Sequence, residues 1–97
     1  MSAPARQRVD LWLFRARFVK TRAAAARLIA EGGVRLMHAG VTRRLEKPSA
    51  EVTAGDALVF AQRGAMKAVR VEALPGRRGP PAEARGAYSD LDAGGFA

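Results

Sequence analysis

The feature that most constrains this chain is a change of hydrophobic period at Gly32-Gly33. On the N-terminal side apolar residues recur at helical intervals. Val9, Leu13 and Ala16 form one stripe and Leu11, Phe14 and Phe18 another, which predicts a helix with a broad buried face over residues 8–18. Thr21 follows as an N-cap whose hydroxyl can accept from a free backbone N–H of a second helix over 22–31. In that helix Ala25, Leu28 and Ile29 stand at i, i+3 and i+4, and the alanines permit close approach to the first helix. Glycine tolerates the left-handed conformation that closes a helix, so the pair ends it. Beyond it, Val34 and Leu36 alternate with Arg35 and Met37, the period of a half-buried strand over 34–37.

Further strands are predicted at 57–60 and 66–74, with Glu51-Val52 extended before them and His38-Ala39-Gly40, Gly55-Asp56 and 62–65 as turns. Connections this short make the sheet antiparallel. The expected fold is therefore α+β, with two N-terminal helices packed on a small antiparallel sheet. Residues 1–7 read as a flexible arm, 8–74 as the domain, and 75–97 as a basic Pro-Gly linker, a short helix over 82–88 and a frayed end from Asp90.

Charge points to the partner. Seventeen Lys and Arg against nine Asp and Glu give a net charge of +8. Residues 6–47 hold eleven of the basic residues and three of the acidic ones, so the excess lies in the half that contains both helices. A surface of this sign concentrates polyanions, and the planar guanidinium suits phosphate better than an ammonium does. Nucleic acid is the expected partner.

Other chemistries lack their ingredients. The chain has no cysteine and one histidine, its acidic residues are scattered singly, and no glycine-rich phosphate loop precedes a helix. Catalysis, metal binding and cofactors are thus not expected, and Asp10 and Asp56 read as structural, the first pairing with a nearby arginine and the second ordering a turn. Residues 1–8 have no apolar stretch of the signal-peptide kind, and no apolar run is long enough to cross a bilayer. The expectation is a cytoplasmic protein, monomeric in solution, with no membrane partner.

The candidate site begins where Lys20, Thr21 and Arg22 surround a helix N-terminus, whose free N–H groups and dipole favour an anion. Arg27 further along the helix and Arg35 on the outward face of the next strand extend it. Arg8 and Arg15, seven residues apart, are expected on one side of the first helix, and Arg43, Arg44 and Lys47 lie in the basic stretch after the first strand. For any single arginine the plain alternative is a solvated surface residue. Two short helices beside a basic strand suit shape and phosphate readout of folded RNA. The Ala-rich second helix offers few side chains to read a major groove, which leaves a small DNA-binding regulator as the alternative.

Arg8-Val9-Asp10 followed by Leu13, then Lys20-Thr21-Arg22, Ala26-Arg27, Ile29, Gly33-Val34, Pro48-Ser49 and Gly55-Asp56, resemble in order and spacing the αL-type RNA-binding domain typified by small-subunit ribosomal protein four. Residues 10–22, and the tail with Arg77-Arg78-Gly79-Pro80, Ala82-Glu83-Ala84 and Tyr88, are similar to the ribosome-associated heat shock protein 15 subgroup. The resemblance implies two helices on a small twisted sheet, with RNA across the second helix and the adjoining strand and loop. It further implies a non-catalytic factor that binds ribosomal RNA on a large ribosomal subunit carrying a trapped nascent chain-tRNA and aids recycling; tRNA is a further candidate partner, and the subgroup's name links it to heat shock and stress response. Pseudouridine synthases and tRNA synthetases also carry this module, so an accessory part acting with an RNA-modifying enzyme is a second alternative. The family has a tight Asn-Gly turn after its first strand. Here Met37-His38-Ala39-Gly40-Val41 leads into a longer basic stretch, with Arg43 and Arg44 in place of the family's loop contacts.

Overall fold

A computed structural model describes residues 4–91. The chain forms β1 (Gln7–Arg8), α1 (Val9–Arg15), α2 (Arg22–Ala30), β2 (Val34–His38), β3 (Val41–Arg44), β4 (Glu51–Val52), β5 (Ala57–Gln62), β6 (Ala65–Val71), α3 (Pro81–Ala84), a 3-10 turn (Arg85–Ala87) and β7 (Tyr88–Leu91). A five-stranded antiparallel sheet has the order β3-β2-β5-β6-β7, and β1 pairs with β4 in a separate two-stranded ribbon. The architecture is α+β, with the helices against one face of the sheet as the hydrophobic pattern requires.

Both helices end in the same way. After α1 the Arg17 N–H donates to the Phe14 carbonyl and the Phe18 N–H to the Leu13 carbonyl; after α2 the Gly32 N–H donates to Ile29 and the Gly33 N–H to Leu28. These crossed bonds are Schellman closures, which need a left-handed residue at the first position past the cap. Gly32 takes it with φ +80°, whereas α1 uses Arg17 with φ 67°. The closure explains why α1 stops short of the expected residue 18: Phe18 is turned back and packs against Trp12, Phe60 and Tyr88, at ring-centroid separations of 5.8, 5.0 and 4.6 Å. Its apolar side chain continues the helical pattern although its backbone does not.

Val9, Trp12, Leu13 and Ile29 from the helices meet Val34, Leu36, Leu58, Phe60, Val69 and Val71 from the sheet, and all are buried. Each of the larger side chains contributes about 1.5–3 kcal/mol by leaving water. Trp12 can be fully enclosed because its Nε1–H donates to the Ala73 carbonyl at 2.9 Å.

Two stretches depart from the sequence reading. Gln7, placed in the arm, pairs with Val52 and donates through Nε2 to the Pro75 carbonyl at 2.9 Å. The stretch read as linker and frayed end returns to the sheet, where β7 pairs with β6 from Val71–Tyr88 to Ala68–Leu91. Asp90 and Leu91 are therefore strand residues, and the rest of the expected frayed end, 92–97, lies outside the described residues. On its way back this segment ties down α1. Arg78 donates to the carbonyls of Phe14 (3.1 Å) and Val19 (3.3 Å) with its guanidinium over the Phe14 ring, while Arg17 donates to the Gly79 carbonyl at 3.1 Å.

Candidate nucleic-acid interface

The N-terminal end of α2 is organised around one buried carboxylate. Asp10 is 3% exposed, and its Oδ1 accepts the Leu11 N–H at 2.7 Å. Arg8 grips both carboxylate oxygens (3.1 and 3.0 Å), and the Arg22 Nε lies 3.5 Å from Oδ2. A buried charge persists only when paired, and here two guanidiniums share it. The cluster keeps a net positive charge, and both arginines leave nearly half of their side-chain surface in solvent. Thr21 caps the helix as expected, its Oγ1 accepting from the Ala24 N–H at 3.0 Å.

From that end a positive stripe follows α2. Lys20 and Arg27 are exposed, and Arg27 is flanked on the same side by exposed Ala23 and Ala30, small enough to let a polymer backbone approach the helix. At the far end the stem of Arg44 lies against Gly32, so that a Cβ there would meet its Cδ at 3.2 Å. Arg44 is directly opposite Arg35 across the β2–β3 pair, which places both on the sheet face turned away from the core. Arg43 is opposite buried Leu36 and so points to the other side of the edge strand. Arg43, Arg44 and Lys47 nonetheless line one shallow concavity of about 370 Å³, with Glu46 among them. Among the described residues no carboxylate lies within ion-pair distance of Lys20, Arg27, Arg35, Arg43, Arg44 or Lys47.

Arg15 does not join the stripe. It is half-buried and donates to the Pro75 carbonyl at 2.9 Å. The expected alignment with Arg8 fails because Arg8 precedes the helix, with ψ 139°, so helical spacing does not relate the two. The loop after β2 is also tighter than expected. His38 pairs with Val41 across a two-residue turn in which Ala39 (φ 51°) and Gly40 (φ 80°) are both left-handed, the conformation that Asn-Gly normally takes. The basic stretch beyond it is strand β3 rather than a long loop. Asp56 is structural as expected, accepting the Thr53 N–H at 3.0 Å and bonding His38 Nδ1.

A second basic surface has no counterpart in the sequence reading. The α1–α2 turn, the β5–β6 hairpin and the C-terminal segment enclose an open groove of about 720 Å³ lined by Arg17, Lys20, Arg63, Lys67, Arg78 and Arg85. The one local signal for it is turn chemistry: Arg63 stands at φ 51° in the Arg63-Gly64 turn, where asparagine or glycine is the ordinary choice.

The S4 domain pattern matches residues 7–36, which span β1, α1, α2 and the first part of β2 and hold Arg8, Lys20, Arg22, Arg27 and Arg35. No curated protein sequence matches the chain. Among solved structures, trimeric heat shock protein 15 of Vibrio cholerae superimposes with a TM-score of 0.78 at 31% identity, over 90% of this chain and 83% of that one. The chain belongs to the heat shock protein 15 family. This heat shock protein 15 family member is an RNA-binding protein whose S4 domain carries most of the α2 stripe. Arg43, Arg44 and Lys47 lie beyond the matched residues, as does the C-terminal segment that closes the groove. No helix among the described residues is long and apolar enough to cross a membrane.

Proposed function

We propose that this protein binds ribosomal RNA through the face formed by α2, β2 and β3, and that it acts on large ribosomal subunits that hold a trapped nascent chain-tRNA, aiding their recycling in the cytoplasm under stress. The observation that carries the reading is the stripe itself: Lys20 and Arg27 are exposed on the α2 side without carboxylate partners, Arg44 reaches the C-terminal end of α2 where its stem rests on Gly32, and Arg35 stands opposite Arg44 on the outer face of the sheet edge, while the helix N-terminus adds Thr21 and the net-positive Arg8–Asp10–Arg22 cluster. α2 has nine residues and is therefore about 13 Å long, so the stripe spans several consecutive phosphates of a folded strand. Arg43 and Lys47 extend the contact at the edge of the sheet. The role is docking rather than catalysis, and tRNA held on the same subunit is a second backbone within reach of such a surface.

Sucrose-gradient sedimentation of tagged protein tests the reading. Wild type is expected with free large subunits, and an Arg27→Gln/Arg44→Gln double variant near the top of the gradient. Comigration with small subunits, or an unchanged profile of the double variant, overturns it. In solution each phosphate contact contributes roughly 0.7–0.9 to the slope of log K against log salt, so the double variant should bind structured RNA with a slope lower by more than 1. Preference for duplex DNA over that RNA at matched salt would select the regulator instead. We take the unit that docks to be one chain, because Val41 and Met66 are the exposed large apolar residues among those described. The Vibrio cholerae relative was solved as a trimer, and sedimentation equilibrium separates the two states.

A further inference from the structure

We infer that the groove between the α1–α2 turn, the β5–β6 hairpin and the C-terminal segment is a second RNA site, one that takes an unpaired strand leaving the structured RNA docked on α2. The inference rests on the proposed docking of RNA along α2, and it adds a separate surface and a different ligand form.

Charge is the first argument. Of the cations lining the groove, Lys67 and Arg85 share a single carboxylate, Asp90, at 2.7 and 3.0 Å. Arg17 and Arg78 donate to backbone carbonyls, which hold the guanidiniums in place without cancelling their charge. Lys20 and Arg63 are exposed and have no ion-pair partner among the described residues. Lys20 also begins the α2 stripe, so the two surfaces are continuous there.

Conformation is the second. Arg17 and Arg63 both occupy left-handed positions where a side chain costs about 1–2 kcal/mol over glycine, and both line this groove. Strain kept at two arginines that converge on one surface from separate segments is the pattern of a functional site.

Shape and lining choose the ligand. A duplex presents a convex, regularly spaced backbone, which suits the exposed stripe on α2. The groove is concave, with Ala24, Leu28 and Ala61 on its walls and half-buried Phe18 and Tyr88 among its lining. Arg85 lies over the Tyr88 ring at 5.2 Å from its centroid, with most of its side chain in solvent. Apolar and aromatic surface beside fixed cations suits splayed nucleotides, whose bases stack while their phosphates pair.

The test uses the full chain and two RNA hairpins, one blunt and one carrying a six-nucleotide unpaired uridine extension, followed by fluorescence anisotropy. Wild type should bind the extended hairpin at least several-fold more tightly. In Arg63→Asn/Arg85→Gln, chosen because asparagine suits the Arg63 turn and Arg85 is exposed, that advantage should vanish while blunt-hairpin affinity stays unchanged. Its salt slope on the extended hairpin should fall by roughly 1.4, two contacts at about 0.7 each for single strands. An unchanged melting temperature establishes that the variant is folded. The inference is overturned if the extension adds nothing for wild type, or if the variant weakens both hairpins equally. It is also overturned if an acidic decapeptide displaces the extension as well as octauridylate does, since the surface would then be indifferent to bases. Failure of wild type to bind the blunt hairpin at all would instead remove the α2 docking reading, and octauridylate binding would still report on the groove.

Discussion

At the scale of single residues, left-handed backbone separates positions governed by conformation from those kept for their side chains. Gly32 needs its glycine twice over, for φ +80° and for the Arg44 stem resting on it. Ala39 is different. It is exposed, sits at φ 51°, and gains nothing visible from its methyl group. Because asparagine adopts this conformation more readily, Ala39→Asn should stabilise the fold by about 0.5–1 kcal/mol, seen as a melting temperature a few degrees higher with RNA affinity unchanged. Asp10 illustrates the opposite case, a residue whose value lies in what it holds. Its carboxylate fixes two guanidiniums at the head of α2 and accepts a backbone N–H from α1.

At the scale of elements, α1 is seven residues long, too short to be stable alone, and its end is secured from the far part of the chain. Arg78 supplies the donors for the Phe14 and Val19 carbonyls. Replacing it by glutamine should cost about 2 kcal/mol, the scale of losing charged hydrogen bonds, and should speed hydrogen exchange in residues 16–21 more than in β5 or β6. Such dependence marks what could be read in the sequence. α2, its Thr21 cap and its Gly32 stop were legible because each is decided by neighbours within four positions. The inner and outer residues of β2 were legible from alternation, and with them the place of Arg35. The end of α1 was not, since Phe18 belongs to the apolar stripe by spacing but reaches the core by a reversal. The β1–β4 ribbon and β7 were not, because pairing across such separations leaves no local trace. Arg15 read as a surface cation for the same reason: its acceptor, the Pro75 carbonyl, lies 60 positions away. The groove stayed hidden because its cations come from several distant segments, and the C-terminal half looks electrically balanced when counted in sequence order.

At the scale of the whole molecule, the even charge count of the C-terminal half hides how its carboxylates are used. Most of the carboxylates in the described C-terminal half are locally engaged: Asp56 by Thr53 and His38, Glu72 by Ser89, Glu83 by Arg77 and Asp90 by Lys67 and Arg85. The hydrogen bond from Lys67, reinforced by Arg85, holds the Asp90 carboxyl below its ordinary value of 3.8. A depressed carboxylate favours the folded state above its unfolded pKa, and that contribution is lost as pH falls through the folded value. Thermal melts should therefore be insensitive to this group between pH 7 and about 5 and lose stability below about pH 4. Asp90→Asn should remove that part of the acid dependence. It should also release two cations toward the groove, so that at pH 7 the variant binds single-stranded RNA more tightly and with a steeper response to salt.

The long reach of the bonds that seat α1 carries a consequence for synthesis. Trp12, Arg15, Arg17 and the Phe14 carbonyl all wait for partners between Ala73 and Gly79, some 60 positions later. A polypeptide interrupted before that point has the first two helical sequences but not the bonds that anchor them. Cooperative structure around α1, and with it the proposed binding face, therefore requires synthesis to have passed Gly79, and fragments interrupted earlier should compete poorly for RNA.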